Sequence, residues 1–242
     1  MKKRKLFTCF LIILLLLNLF VSCNRPEGYV KYPKNYTLEY CQANYEDADD
    51  QLVAIEIAPN CIDPDRLYGI LFQQHAYYAI KDVPPDEYLN RITFYTFGAK
   101  TERLVRKKQG DSKPDLLTLE YESIELYWRY PDESIVTVNG HEATSLRVHF
   151  NNCIENYDYL IGGSKVSSIT KEVIETDPYG QEYTDESYLF MRIHFAKYEY
   201  IVFEAQVRRG DSDNRCYMEY RRDNDCIYLP LPEEIAKLIP ET

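Results

Sequence analysis

The sequence predicts an α+β domain dominated by antiparallel sheet. Three observations carry that expectation. Apolar and polar residues alternate over long stretches, short turn signals join those stretches, and only brief segments carry helix start signals.

Taken in chain order, residues 24–50 read as a tether. Tyr29, Tyr32, Tyr36, Tyr40 and Tyr45 recur at three- to five-residue spacing. Pro33 interrupts the first half, so only 37–45 can form a short helix. The acidic run Glu46, Asp47, Asp49, Asp50 lacks the glycine turn of a calcium loop and reads as solvated. Residues 52–57 are a short apolar strand. Asp63-Pro64 pairs an N-cap side chain with proline at the first helical position, and Leu67, Ile70 and Leu71 follow as a buried stripe. Residues 76–83 read as a strand closed by Pro84-Pro85. At 92–97 Ile92, Phe94 and Thr96 alternate with Thr93, Tyr95 and Phe97, so both faces are expected to be partly covered.

Leu117, Leu119 and Tyr121 fall on one phase, and Ile124, Leu126, Trp128 and Tyr130 on the other. The slip between Tyr121 and Ile124 predicts a bulge or a turn. Segments 134–138 and 141–150 flank Asn139-Gly140, the dipeptide of a tight hairpin turn. Asp177-Pro178-Tyr179-Gly180 marks another turn. Segments 189–195 and 201–207 alternate on either side of Ala196-Lys197 and predict a second hairpin. A short helix is expected within 232–239. Nothing inside 51–242 reads as a linker, so those residues are expected to form one globular unit.

The 242 residues carry 28 Lys and Arg against 39 Asp and Glu, a net charge of −11. Four basic residues and no acidic ones lie in 1–22, so the remainder stands at 24 against 39, or −15. That excess argues against nucleic acid as a partner, because phosphate affinity rests on Lys and Arg. All 23 tyrosines lie outside 1–22. Tyrosine is both a good strand residue and an amphipathic contact residue.

Residues 1–22 join a basic start, Lys2-Lys3-Arg4-Lys5, to an apolar run over 6–21. The run is somewhat short for a membrane span and suits a secretory signal. An ordinary signal peptide or an uncleaved anchor is the alternative reading of the run. Phe20-Val21-Ser22-Cys23 resembles the lipobox of bacterial lipoproteins. The resemblance covers residues 1–23 only. It implies cleavage after Ser22, a lipid on Cys23 that includes fatty acyl chains such as palmitate, and a domain held on the extracytoplasmic side of the cell envelope.

Chemistry-bearing motifs are sparse. The four histidines, His75, His141, His149 and His194, and the cysteines show no metal-ligand spacing. No G-x-S-x-G elbow and no Gly-rich nucleotide fingerprint occurs, so no metal or cofactor is expected and no catalytic residue is assigned. Arg147-Val148-His149-Phe150 and Arg192-Ile193-His194-Phe195 repeat one theme. Read as neighbouring strands, they bring Arg147, His149, Arg192 and His194 into a positive patch for a carboxylate, phosphate or acidic sugar. The plainer alternative is the solvated face of two amphipathic strands. Of the five cysteines beyond Cys23, Cys216 and Cys226 are the pair expected to bridge, flanking a polar turn; free thiols throughout are the alternative.

These readings converge on a lipid-anchored envelope protein, a non-catalytic domain that binds a ligand or partner such as another envelope protein or a glycan. An envelope hydrolase acting on cell-wall or glycan material, and a structural or assembly accessory, are the alternatives.

Overall fold

Period-2 alternation builds two antiparallel sheets in the computed structural model, which describes residues 26–62, 74–95, 100–108, 119–130, 132–163, 165–222 and 225–240. The α+β reading holds, with strand far outweighing helix. Expectations at Cys23, at the 63–71 helix, at Leu117 and at residues 223–224 lie outside the described residues.

The first sheet has five strands: β1 (Tyr45–Asp47), β3 (Ile57–Ile62), β4 (Gln74–Ile80), β5 (Tyr88–Phe94) and β6 (Lys100–Lys107), in the order β1-β6-β5-β4-β3. Both of its faces are covered over 88–93, while Phe94 and Tyr95 are exposed and 96–97 lie outside the described residues. Tyr45, Tyr77, Ala79, Leu89 and Val105 form a small cluster on one face, under the helix α1 (Leu38–Asn44), which contributes Cys41. Ile80, Tyr88 and Leu104 face the other way and join the main core. Thr37 caps α1 by accepting a hydrogen bond from the Tyr40 amide at 3.1 Å. The tether expectation for 24–50 is therefore corrected over 26–50. Tyr32 donates to the Asn60 carbonyl at 2.8 Å, and β1 pairs with β6, so this stretch is part of the fold. Of the spaced tyrosines, Tyr32, Tyr36, Tyr40 and Tyr45 belong to that packing, while Tyr29 is exposed.

The second sheet holds β2 (Leu52–Ala54), β7 (Tyr121–Arg129), β8 (Asp132–Asn139), β9 (Leu160–Ile161), β10 (Val166–Ser168), β11 (Thr170–Thr176), β12 (Glu182–Phe195), β13 (Tyr198–Gly210), β14 (Cys216–Arg222) and β15 (Asp225–Pro230). The predicted 189–207 hairpin is its centre, with Phe195 opposite Tyr198 across the Ala196-Lys197 turn. The predicted phase slip is present too. Ser123 pairs with His194 and Tyr121 with Phe195, which leaves Glu122 as the extra residue of a bulge. The short C-terminal helix α3 (Glu233–Ala236) covers part of the core through Ile235.

The Asn139-Gly140 hairpin is corrected. Gly140, at φ +58°, turns the end of β8 into the helix α2 (His141–Glu155), not into a second strand. Leu146 and Phe150, four apart, fit a strand face and a helix face equally well. Ala143, Cys153 and Val148 decide between the two periods. Ala143 and Cys153 are buried at helical spacing with Leu146 and Phe150, while Val148 is 49% exposed. A Val148 on the apolar face of a strand would have been buried.

One contiguous core lies between α2, α3 and the second sheet and reaches Ile80, Tyr88 and Leu104 of the first sheet and Val83 of the loop between β4 and β5. A seam reinforces the junction. Glu87 accepts hydrogen bonds from Lys197 at 2.8 Å and from Tyr198 at 2.7 Å, and the Tyr88 and Tyr198 rings meet edge to face.

Candidate functional site

Alternation along β12 separates its side chains cleanly. Leu189, Met191 and Ile193 enter the core, while Phe190, Arg192 and His194 face the other side of the sheet. The register then sets Arg192 opposite Glu125 of β7 and Glu204 of β13. Arg192 donates from Nε and Nη2 to Glu204 Oε1 at 3.1 and 2.9 Å, and from Nη1 to Glu125 Oε2 at 3.2 Å. Asp132 lies 3.5 Å from Nη2, the Tyr127 hydroxyl donates to Glu204 at 2.9 Å, and the Tyr127 ring lies 4.2 Å from the guanidinium carbon. Burial opposes the charge on Arg192, whose side chain is 15% exposed. Its hydrogen bonds to Glu204 and the surrounding negative charge outweigh that and hold its pKa above the ordinary arginine range. Burial, opposed by Glu125, pushes the His194 imidazole below its usual value.

The adjoining strands repeat the pattern. Glu219, nearly buried, accepts from Arg208 at 2.9 and 3.1 Å and from Arg221 at 2.8 and 3.1 Å, and Arg208 also donates to Ser168. Gln51 closes the gap between β2 and β14 on the β13 edge. Its side chain donates to the Glu219 carbonyl at 2.8 Å and accepts from the Arg221 amide at 2.6 Å, and its carbonyl accepts from the Glu204 amide at 2.8 Å.

The expectation that Arg147, His149, Arg192 and His194 share one positive patch is corrected. Arg147 and His149 belong to α2, which packs on the core face, while Arg192 and His194 occupy the opposite face. Within a helix, residues two apart point about 200° from each other. His149 Nε2 contacts the Pro230 carbonyl at 2.9 Å, so that nitrogen donates and pins α2 to β15. Cys153 Sγ is 3.5 Å from the same nitrogen, which therefore has no lone pair to take the thiol proton. Burial also pushes the Cys153 thiol up. Arg192 directs four N–H contacts at resident carboxylates, so the negative charge around it outnumbers the positive.

The bridge between Cys216 and Cys226 is also corrected: both are free thiols. Arg221 pairs with Cys226 in the β14–β15 register, which places Cys216 five residues away along β14, about 17 Å. A disulfide needs Cα atoms within roughly 7 Å.

The least enclosed feature is a fork in the second sheet. Phe190 pairs with Gln206, but farther out β12 and β13 part. β10 runs along β13, with Ser168 opposite Arg208. After the buried Ile169, β11 runs along β12, with Thr170 opposite Tyr188 and Thr176 opposite Glu182. β11 and residues 182–188 thus form a two-stranded arm, turning at the predicted Asp177–Gly180 signal. Asp177 caps that turn by accepting from the Tyr179 and Gln181 amides, both at 2.8 Å. The arm carries large exposed side chains: Ile174 is 72% and Tyr179 95% exposed, with Tyr183 and Tyr188 also open. Sequence reasoning found the turn but not the arm. A signal was present: in 170–176 and 182–188 the few apolar or aromatic residues fall on both faces and none builds a core face.

Among the described residues no group of His, Cys, Asp and Glu is arranged to hold a metal, and no helix is long and apolar enough to cross a membrane. Comparison with protein-family models, curated proteins and solved structures finds no match to this chain.

Proposed function

We propose that the protein is a lipid-anchored bacterial envelope protein that acts without catalysis, by presenting its β11–β12 arm to a partner. The arm is the observation that carries this reading. An isolated two-stranded ribbon is marginal by itself, and Ile174, Tyr179, Tyr183 and Tyr188 give this one large exposed side chains that a partner could bury. The polar face around Arg192 is occupied by its own carboxylates, which turns attention from an anion site to the arm. The lipid on Cys23 accounts for surface retention of a domain near −15, which an anionic bilayer would repel.

The test is photo-crosslinking in the envelope of the source bacterium. A photoreactive residue replaces Tyr179 at the arm tip or, as the control, exposed Tyr157 at the end of α2. The reading expects one discrete adduct from position 179 and none from 157. Equal labelling from both positions, or none from 179, overturns it. For the anchor, Cys23→Ala is expected to abolish partitioning into detergent; unchanged partitioning refutes lipidation.

A further inference from the structure

The arm's charge and its open edge define what it can receive, given the reading that it is a partner-binding element. Residues 170–188 hold six carboxylates, Glu172, Glu175, Asp177, Glu182, Asp185 and Glu186, against one lysine, Lys171. Lys171 is engaged by Glu133 of β8 and by the Trp128 ring. Among the described residues none of the six carboxylates makes an ion pair. Glu172 and Glu186 stand directly opposite each other, an arrangement that like charges make unfavourable.

Among the described residues the outer edge of β12 carries no partner strand at 182–186, which are exposed, whereas Ser187 is buried. Its ladder with β7 ends at Leu189 opposite Trp128. Beyond it the Tyr130 amide donates to Ser187 Oγ and not to main chain. Among the described residues, 182–188 pair only with β11. A strand laid along this edge would meet Glu182, Thr184 and Glu186 on one face of the ribbon. On the other it would meet Tyr183 and Asp185, with Tyr130 close by and sharing Glu175 as hydrogen-bond acceptor with Tyr183.

We propose that residues 182–186 receive an extended basic segment of a partner protein by strand addition. Alternate Lys or Arg side chains lie against Glu182 and Glu186, and the intervening apolar side chains lie against Tyr183. Strand addition draws affinity from main-chain hydrogen bonds and specificity from alternate side chains. A third strand also completes a ribbon that two strands stabilise poorly. A second copy is the wrong occupant, because two such edges would set carboxylates against carboxylates.

Hydrogen exchange on the detergent-solubilised full chain tests this, with end-blocked eight-residue peptides of alternating lysine and valine, or of glutamate and valine. The lysine peptide is expected to slow exchange over 182–188 by about tenfold, and the glutamate peptide to leave it unchanged. The exposed-site variant Glu182→Lys/Glu186→Lys is expected to fold and to lose the response. Protection spread over the acidic surface, or unchanged in the variant, overturns the proposal. So does protection without peptide that grows with protein concentration, which would make a second copy the occupant. If the peptide fails while the adduct at position 179 persists, the partner's chemistry is wrong and the partner-binding function stands.

Discussion

Gln51 provides the sharpest test of how the sheet is assembled. β13 pairs with β2 at Ile201–Phe203 and with β14 at Val207–Arg209, and the Gln51 side chain fills the gap between those partners. Gln51→Ala leaves the Arg221 amide and the Glu219 carbonyl without their partner, in a place where Gln51 itself is buried. An unmet buried polar group costs about 1–3 kcal/mol, so two give an expected loss of about 3 kcal/mol. In urea unfolding, with a slope of about 2 kcal/mol per M, the midpoint falls by about 1.5 M. Gln51→Met fills the same volume without the hydrogen bonds and separates packing from polarity; it is expected to recover less than half of the loss. A change below about 0.5 kcal/mol in Gln51→Ala would refute the idea that this amide acts as a missing piece of strand.

Other expectations follow from the same geometry. Arg192→Met leaves Glu125 and Glu204 facing an empty centre and should cost about 2 kcal/mol at neutral pH. Adding Glu204→Gln should recover part of that loss, because it removes one of the two stranded charges; purely additive losses would mean that packing dominates. Lys197 and Tyr198 hold the Glu87 carboxyl below its ordinary value, so its contribution is full above the unfolded value near 4.5 and lost as pH falls through the lower folded value. Glu87→Gln should therefore flatten the acid limb of the stability profile, and an unaltered limb contradicts the seam. Gly140→Ala meets open space but a positive φ, and a backbone cost of about 1 kcal/mol should lower Tm by about 2–4 °C. In alkylation at mildly alkaline pH, the partly exposed Cys61 and Cys226 should react before the buried thiols. Buried Cys41, its thiol pushed up to about 11, together with Cys153 and Cys216, should react only on unfolding.

The parts of the fold legible in the sequence are those where one period has no rival. The 189–207 hairpin follows from clear alternation, and the bulge at Glu122 from a phase slip between two alternating runs. α2 was not legible as a helix, because Leu146 and Phe150 satisfy both periods and the Asn-Gly dipeptide weighted the choice toward a hairpin. The packing of 26–50 was hidden for a different reason: tyrosines contact residues such as Asn60, distant in sequence, and no local pattern reports such contacts. The expected Arg and His patch failed with the α2 assignment. The carboxylates that fill its place, Glu125 and Glu204, become visible only once strand register is known. The arm's charge can be counted from the sequence, but its open edge depends on where β7 ends.

The central claim is that the arm is covered by a partner in the native envelope, and hydrogen exchange on the anchored protein tests it directly. Measured in isolated envelope and again on the purified chain, amides of 182–188 should exchange at least about tenfold more slowly in the envelope, while the core strand β13 is unchanged. Equal rates over 182–188 in the two settings would contradict the account.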